Sequence, residues 1–220
     1  MTLDLRVYVI TTTLPKLGRD HLAIAAAAVR GGATVLQFRD KSMIDADFAA
    51  AAARLLQIAR PAGVPPIVND RVEIAIAIGA EGVHVGRRDA QVRELRRRLP
   101  ADMILGASAT NYQEAIEAVD ADYLGVGPIF PTGSKADATP PIGLDELARI
   151  CRQVRRPVVA IGGITQHNVD AVIQAGAAGS AVIAAVAEAA DMASATADLR
   201  SACDAASRTH VSRNSLPHAQ

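Results

Sequence analysis

Tryptophan is absent, and only three tyrosines and three phenylalanines occur in 220 residues. With so few large rings, a core must be built from aliphatic side chains and alanine, so helices are expected to pack closely through small residues. Cysteine is scarce too: Cys151 and Cys203 lie far apart, at no spacing that suits a metal or a redox pair. There is no disulfide framework, which fits a reducing cytosol and a cytoplasmic protein. An excess of either charge is missing, since Lys+Arg and Asp+Glu number 23 each. A neutral chain has no general attraction for nucleic acid or an acidic membrane surface, so neither is expected as a partner and any anion site must be local. Long apolar runs are missing as well; the longest, over 180–190, is too short to span a bilayer and contains Glu188. Residues 1–13 lack a basic start and a cleavage-like site, which argues against a secretory leader.

Half of the residues are apolar, enough for one large α/β core. Short apolar, β-branched stretches predict strands at 6–11, 34–38, 66–68, 82–85, 103–107, 123–126, 157–161 and 180–183. Between them, helical patterns occupy 20–30, 45–59 with Asp45 as N-cap, 72–78, 90–99, 112–119, 144–154 and 167–175, and a last helix covers 191–206. The polar tail over 207–220 has no periodicity and is expected to be disordered, leaving one domain over 1–206. An internal echo supports this division. Gly31-Gly32, Gly79, Ala121-Asp122 and Gly176 each join a helix to an apolar strand, and three of the four use glycine for the left-handed residue that ends a helix. Eight such units predict a single closed (β/α)8 TIM barrel. An open doubly wound sheet is the second choice, but no GxGxxG follows strand one and no Walker loop occurs.

The segment Gln37-Phe38-Arg39-Asp40-Lys41 ends strand two. Alternate side chains of an extended chain share a face, so Gln37, Arg39 and Lys41 point the same way. Ligands of α/β sheets bind at this carboxyl end, and two cations there favour an anion, phosphate above all. A strand end made soluble by charge has the same appearance. The other strands deliver Asn69-Asp70, His84 with Gly86-Arg87-Arg88-Asp89, Ser108, the run 127–135 with Thr132, Ser134 and Lys135, Gly162-Gly163, and Ile183-Ala184. These polar residues gather at one rim, which solubilising charge has no reason to choose. Asp70 and Asp89 are hard oxygen donors that, with phosphate oxygens and water, suit octahedral Mg2+, although either also sits where a helix N-cap belongs. Gly162-Gly163 either admits an anion to backbone N–H groups or is a plain tight turn. His84 reads equally as a hydrogen-bonded core histidine and as a catalyst. Ser108 lacks a GxSxG context, which argues against a nucleophile. His167 falls in the first turn of its helix, and Arg93, Arg96, Arg97 and Arg98 read as a solvated helix face.

Six segments, QFRDK (37–41), VNDR (68–71), HVGRRD (84–89), GAS (106–108), GPIFPTGSK (127–135) and IGGI (161–164), together resemble the thiamine phosphate synthase family, also called thiamine-phosphate pyrophosphorylase, in order and over roughly 6–205. The resemblance implies a barrel transferase that joins a hydroxymethylpyrimidine pyrophosphate to a thiazole phosphate with Mg2+, releasing pyrophosphate. By position it implies that Gln37 contacts the pyrimidine and that Arg39, Lys41, Asn69 and Lys135 hold the pyrophosphate. It places Mg2+ on Asp70 and Asp89, and Ser108 near the pyrimidine and leaving group. Thr132, Ser134 and the backbone at Gly162 or Gly163, Ile183 and Ala184 approach the thiazole phosphate. Three departures stand out: Arg87-Arg88 where the family usually has Gln, Ser134 for Thr, and Ala184 for a frequent Ser, which removes one side-chain phosphate contact. The competing readings are a thiazole tautomerase barrel, a phosphosugar isomerase using His84, and a non-catalytic thiamine-pathway binding protein. The present pyrophosphate and metal set argues against the first and the last of these. The sequence leaves a homo-oligomer open.

Overall fold

The computed structural model describes residues 3–86, 91–133 and 140–214. Eight parallel strands close into a barrel in sequence order: β1 (Val7–Ile10), β2 (Val35–Phe38), β3 (Pro66–Asn69), β4 (Gly82–Val85), β5 (Ile104–Ala109), β6 (Tyr123–Val126), β7 (Val158–Ile161) and β8 (Gly179–Val182). The (β/α)8 expectation holds, and the open sheet is ruled out by the pairing of β1 with β8. Helices α1 (His21–Arg30), α2 (Asp45–Ala59), α3 (Val72–Ala77), α4 (Val92–Arg98), α5 (Tyr112–Glu117), α6 (Gly143–Gln153) and α7 (Val169–Gln174) cover the outside. A single turn, α8 (Ala184–Ala187), and a long α9 (Met192–Asn214) close the chain.

Strand periodicity divides the core in two. On β2, Leu36 and Phe38 pack outward against the helices, while Val35 and Gln37 point into the barrel. The outer layer is largely Val, Leu, Ile and Ala, as the shortage of rings requires. The inner layer holds Tyr8, Ile10, Ile67, Tyr123, Val159 and Ala181. Parallel register carries each inward position to the same height; Gln37 sits beside Ile10 and Ile67. The helix-to-strand turns use Gly32, Gly79 and Gly176 at φ 87, 67 and 102, as the internal echo predicted.

Three local expectations are corrected. Asp45 is not the N-cap of α2: Ile44 holds that position, and Asp45 lies in the first turn, bonded to Arg71 at 2.7 Å. His167 precedes α7, because the Asn168 side chain turns back to accept from Thr165 N and to donate to Gly163 O. The arginines of α4 form the solvated face expected, with the Arg93 and Arg98 side chains 71% and 68% exposed, and Arg93, Arg96 and Arg98 also reach Asp120, Asp122 and Glu73 on neighbouring segments. Finally, α9 continues eight residues past 206. The Ser207 and Thr209 hydroxyls donate to the carbonyls of Cys203 and Ala205, four residues back, so polar residues extend the helix without apolar periodicity. Residues 215–220 lie outside those described. Among the described residues no helix is long and apolar enough to cross a membrane, and Cys151 and Cys203 are unbridged.

Candidate active site

The carboxyl ends of the strands surround one cavity of about 900 Å3. Gln37, Arg39, Lys41, Asn69, Asp70, His84, Ser108, Thr132, Gly162, Gly163, Ile183 and Ala184 all line it. Asp89, Ser134 and Lys135, with Arg87 and Arg88, lie outside the described residues.

β2 sends Gln37 into the barrel and lifts Arg39 and Lys41 to the rim. Asp40, the residue between them, turns away and organises the loop. Its carboxylate accepts from Ser42 N, Ser42 Oγ and Met43 N at 2.7–2.9 Å and from His21 Nε2 at 3.1 Å. Burial pushes this carboxyl up, but the bonds from Ser42 and His21, with the backbone N–H groups of Met43 and Ser42, outweigh it and hold the group well below the usual carboxylate range. His21 opens α1 and is buried, with Nδ1 2.9 Å from Thr11 Oγ1. The Thr11 hydroxyl donates to Gln37 O. The Thr11 hydroxyl thus links the His21 ring to the Gln37 carbonyl of β2. Below the loop, His21 packs tilted on Phe38 and Phe38 edge-to-face on Phe48, at centroid separations of 4.5 and 4.7 Å, and Arg71 covers Phe48 at 4.2 Å. Arg71 also donates to Met43 O and Asp45. Asp40 thus ties the β2 loop to the start of α1, Arg71 ties it to the β3 loop, and neither lines the cavity.

β3 delivers Asn69 and Asp70. Asp70 has φ 63, the positive-φ non-glycine among the described residues. Its N–H donates to His84 O at 2.9 Å, and its carbonyl accepts from Val72 N at 2.8 Å. Such a conformation costs roughly 1–3 kcal/mol and persists where the surroundings impose it, as they do at functional sites. The N-cap position of α3 belongs to Arg71, so the capping alternative for Asp70 is removed.

Across the mouth, Ile129 N and Phe130 N donate to Ile161 O and Gly162 O, strapping the loop after β6 to the end of β7. Gly163, at φ 65, lies so close to this strap that a Cβ would fall 2.6 Å from Pro131 O. Thr132 enters the cavity from the same loop, facing Gly162, Ile183 and Ala184.

Sequence reasoning missed Tyr8 on the cavity floor, Tyr123 buried behind it, His21 behind the loop, and Thr165 and Glu188 at the rim. The tyrosines had a signal: by period two, Tyr8 shares a face with Ile10, and Tyr123 with the cavity-lining Gly125 and Gly127. His21 had none, because its partners come from two other segments.

The thiamine monophosphate synthase family profile matches residues 7–186. A thiamine-phosphate synthase from Chloroflexus aurantiacus is 50% identical over 199 residues, covering 90% of this chain and 92% of the relative. One from Methanoculleus marisnigri is 45% identical over 196 residues, covering 88% and 93%. The solved thiamine phosphate pyrophosphorylase from Pyrococcus furiosus superposes with a TM-score of 0.84 at 36% identity, over 93% of this chain and 98% of that one.

Proposed function

Because the chain belongs to the thiamine monophosphate synthase family, we propose how its cavity divides the labour of that reaction. The protein is a transferase that condenses hydroxymethylpyrimidine pyrophosphate with thiazole phosphate, giving thiamine phosphate and pyrophosphate. The observation that carries the proposed roles is convergence. Side chains from β2, β3 and β5 and from the loops after β6, β7 and β8, far apart in sequence, line one cavity.

Gln37 takes the pyrimidine at the floor. Arg39, Lys41 and Asn69, joined by Lys135 on the sequence motif, take the pyrophosphate, and Ser108 lies between ring and leaving group. The diphosphate carries about three negative charges near neutral pH, so clustered cations favour its binding and its departure. Thr132, Ser134 and the backbone at Gly162, Gly163, Ile183 and Ala184 take the thiazole phosphate. The residues at the rim fit Mg2+: the Asp70 carboxylate is held at the cavity edge by a backbone conformation that costs energy. Mg2+ needs only one or two carboxylates beside phosphate oxygens and water, and Asp89 supplies the second by motif. When bound, the ion would neutralise charge on the departing diphosphate.

No protein nucleophile is required. Loss of pyrophosphate from an electron-rich aminopyrimidine leaves a carbon cation, and the thiazole nitrogen attacks it. The protein's contribution is to hold both substrates in one mouth, worth several kcal/mol through proximity, and to preorganise charge. Two unbridged cysteines support a cytoplasmic setting. Mixing the two phosphorylated precursors with protein and Mg2+ tests the reading. Pyrophosphate and thiamine phosphate should appear in equal amounts and only with both precursors present. Absence of product sinks the assignment, and full turnover without divalent cation sinks the Mg2+ part.

A further inference from the structure

Under the cavity runs an unbroken series of hydrogen bonds through five strands. Gln37 Nε2 donates to Tyr8 OH at 2.8 Å, and Tyr8 OH lies 2.7 Å from Tyr123 OH. Tyr123 OH is 3.0 Å from His84 Nδ1, and His84 Nε2 is 2.9 Å from Ser108 Oγ. The two ends, Gln37 and Ser108, both face the cavity. Strands β5 and β6 make room for the rings. A Cβ on Gly106 would fall 2.4 Å from Tyr123 OH and 2.5 Å from His84 Nδ1, and one on Gly125 would fall 3.0 Å from His84 Cε1.

Counting protons gives the series a direction. Burial pushes both phenols well above their ordinary range, so each keeps its proton and offers one donor. Tyr8 accepts from Gln37, so its proton goes to Tyr123. Tyr123 then donates to His84 Nδ1, and His84 donates from Nε2 to Ser108. With Gln37 donating, the opposite order would strand the Tyr8 hydroxyl proton, at a cost of about 1–3 kcal/mol for a buried donor. Consequently Gln37 Oε1, to which nothing bonds among the described residues, is held as an acceptor toward the cavity. Ser108 has accepted from His84 and keeps its own proton to give.

We propose that Tyr8 and Tyr123 are positioning residues that fix the hydrogen-bond polarity at both ends of the site, so that it selects an amino group and rejects a carbonyl on the pyrimidine edge facing Gln37. This rests on the pyrimidine lying over Gln37, as assigned above. A group held as acceptor meets an amino donor favourably and a carbonyl acceptor unfavourably, which is how a polar site discriminates steeply between near-isosteres. A freely turning amide would serve either edge.

The tests use the whole protein. By 15N NMR, His84 in the wild type should carry its proton on Nε2 with Nδ1 bare; a proton on Nδ1 overturns the direction. Gln37→Glu puts an acceptor-only carboxylate at the head of the series, so every bond should reverse and a proton should appear on Nδ1; an unchanged Nδ1 overturns the coupling. Tyr8→Phe, close in shape, should lower the preference for the aminopyrimidine pyrophosphate over its oxo analogue, in kcat/KM, by at least about tenfold (~1.4 kcal/mol). An unchanged preference overturns the specificity role whatever happens to Tm, since a merely structural tyrosine would move Tm and leave the ratio alone. The imidazole readouts need no substrate. Failure of the synthase reading would instead show as no product from the wild type.

Discussion

Asp40 and Asp70 show how single carboxylates in neighbouring motifs take different work. Asp40 sits between two rim cations yet binds the protein, with its side chain 8% exposed against His21. Its carboxyl lies below its ordinary value of 3.8, so its contribution to stability is complete above that value and is lost as pH falls through the folded-state value. Asp40→Asn should therefore lower Tm at pH 7, and the gap to wild type should narrow as pH falls below about 3.8; a gap independent of pH in thermal melts would refute the assignment. The loop carrying Arg39 and Lys41 loses its brace in that variant, so KM for the pyrophosphate substrate should rise more than kcat falls. Asp70→Asn is the complementary case. Asn tolerates φ 63 as well as Asp does, so Tm should stay within a few degrees. Mg2+-dependent turnover should fall at least about a hundredfold (~2.7 kcal/mol). Steady-state rates over a Mg2+ titration check this, and near-wild-type activity would remove Asp70 from the metal site.

At the scale of elements, the loops after the strands do the chemistry and the strands set where they begin. The strap between the β6 loop and the end of β7 depends on the space left by Gly163. Gly163→Ala adds left-handed strain and a collision with Pro131 O and Phe130 Cβ, which together should cost about 2–4 kcal/mol. Gly18→Ala is the control. It has nearly the same φ of 62 and nothing within 4 Å, so only about 1 kcal/mol is expected. Urea melts compare the two, and equal losses would show that the strap carries no load. Much of this level was legible in the sequence. Gln37, Arg39 and Lys41 fall on one face because a strand has period two, and their arrival at one rim with Asn69, Ser108 and Thr132 follows from parallel order. The helix ends were less legible. Asp45 reads as an N-cap, but its side chain bonds to Arg71, a partner that the fold supplies.

On the scale of the whole molecule, the barrel is closed by β1 against β8 and covered there by α9. Leu199, Cys203 and Ala206 of that helix are buried, and exposing them would cost about 4 kcal/mol, against a typical domain stability of about 5–15 kcal/mol. A chain ending at 191 should lose about 4 kcal/mol of stability and melt well below the full chain. One ending at 206 should lose a few degrees of Tm, with the half-buried Ser207 removed, and keep its turnover. Circular dichroism melts with activity assays separate these outcomes, and a collapse of the 206 variant would make the last turns structural.

By itself the sequence determined the barrel, the rim and the family. Strand periodicity, glycine-ended helices and cations at strand ends are local patterns, and their meaning does not depend on distant neighbours. Only the tertiary structure decided what lies behind the rim. The His21–Asp40 pair, the Arg71 brace and the Gln37–Tyr8–Tyr123–His84–Ser108 series each join residues that become neighbours only when strands pair and the barrel forms. A hydrogen bond is fixed by distance and proton direction, and chain order encodes neither for residues on different strands.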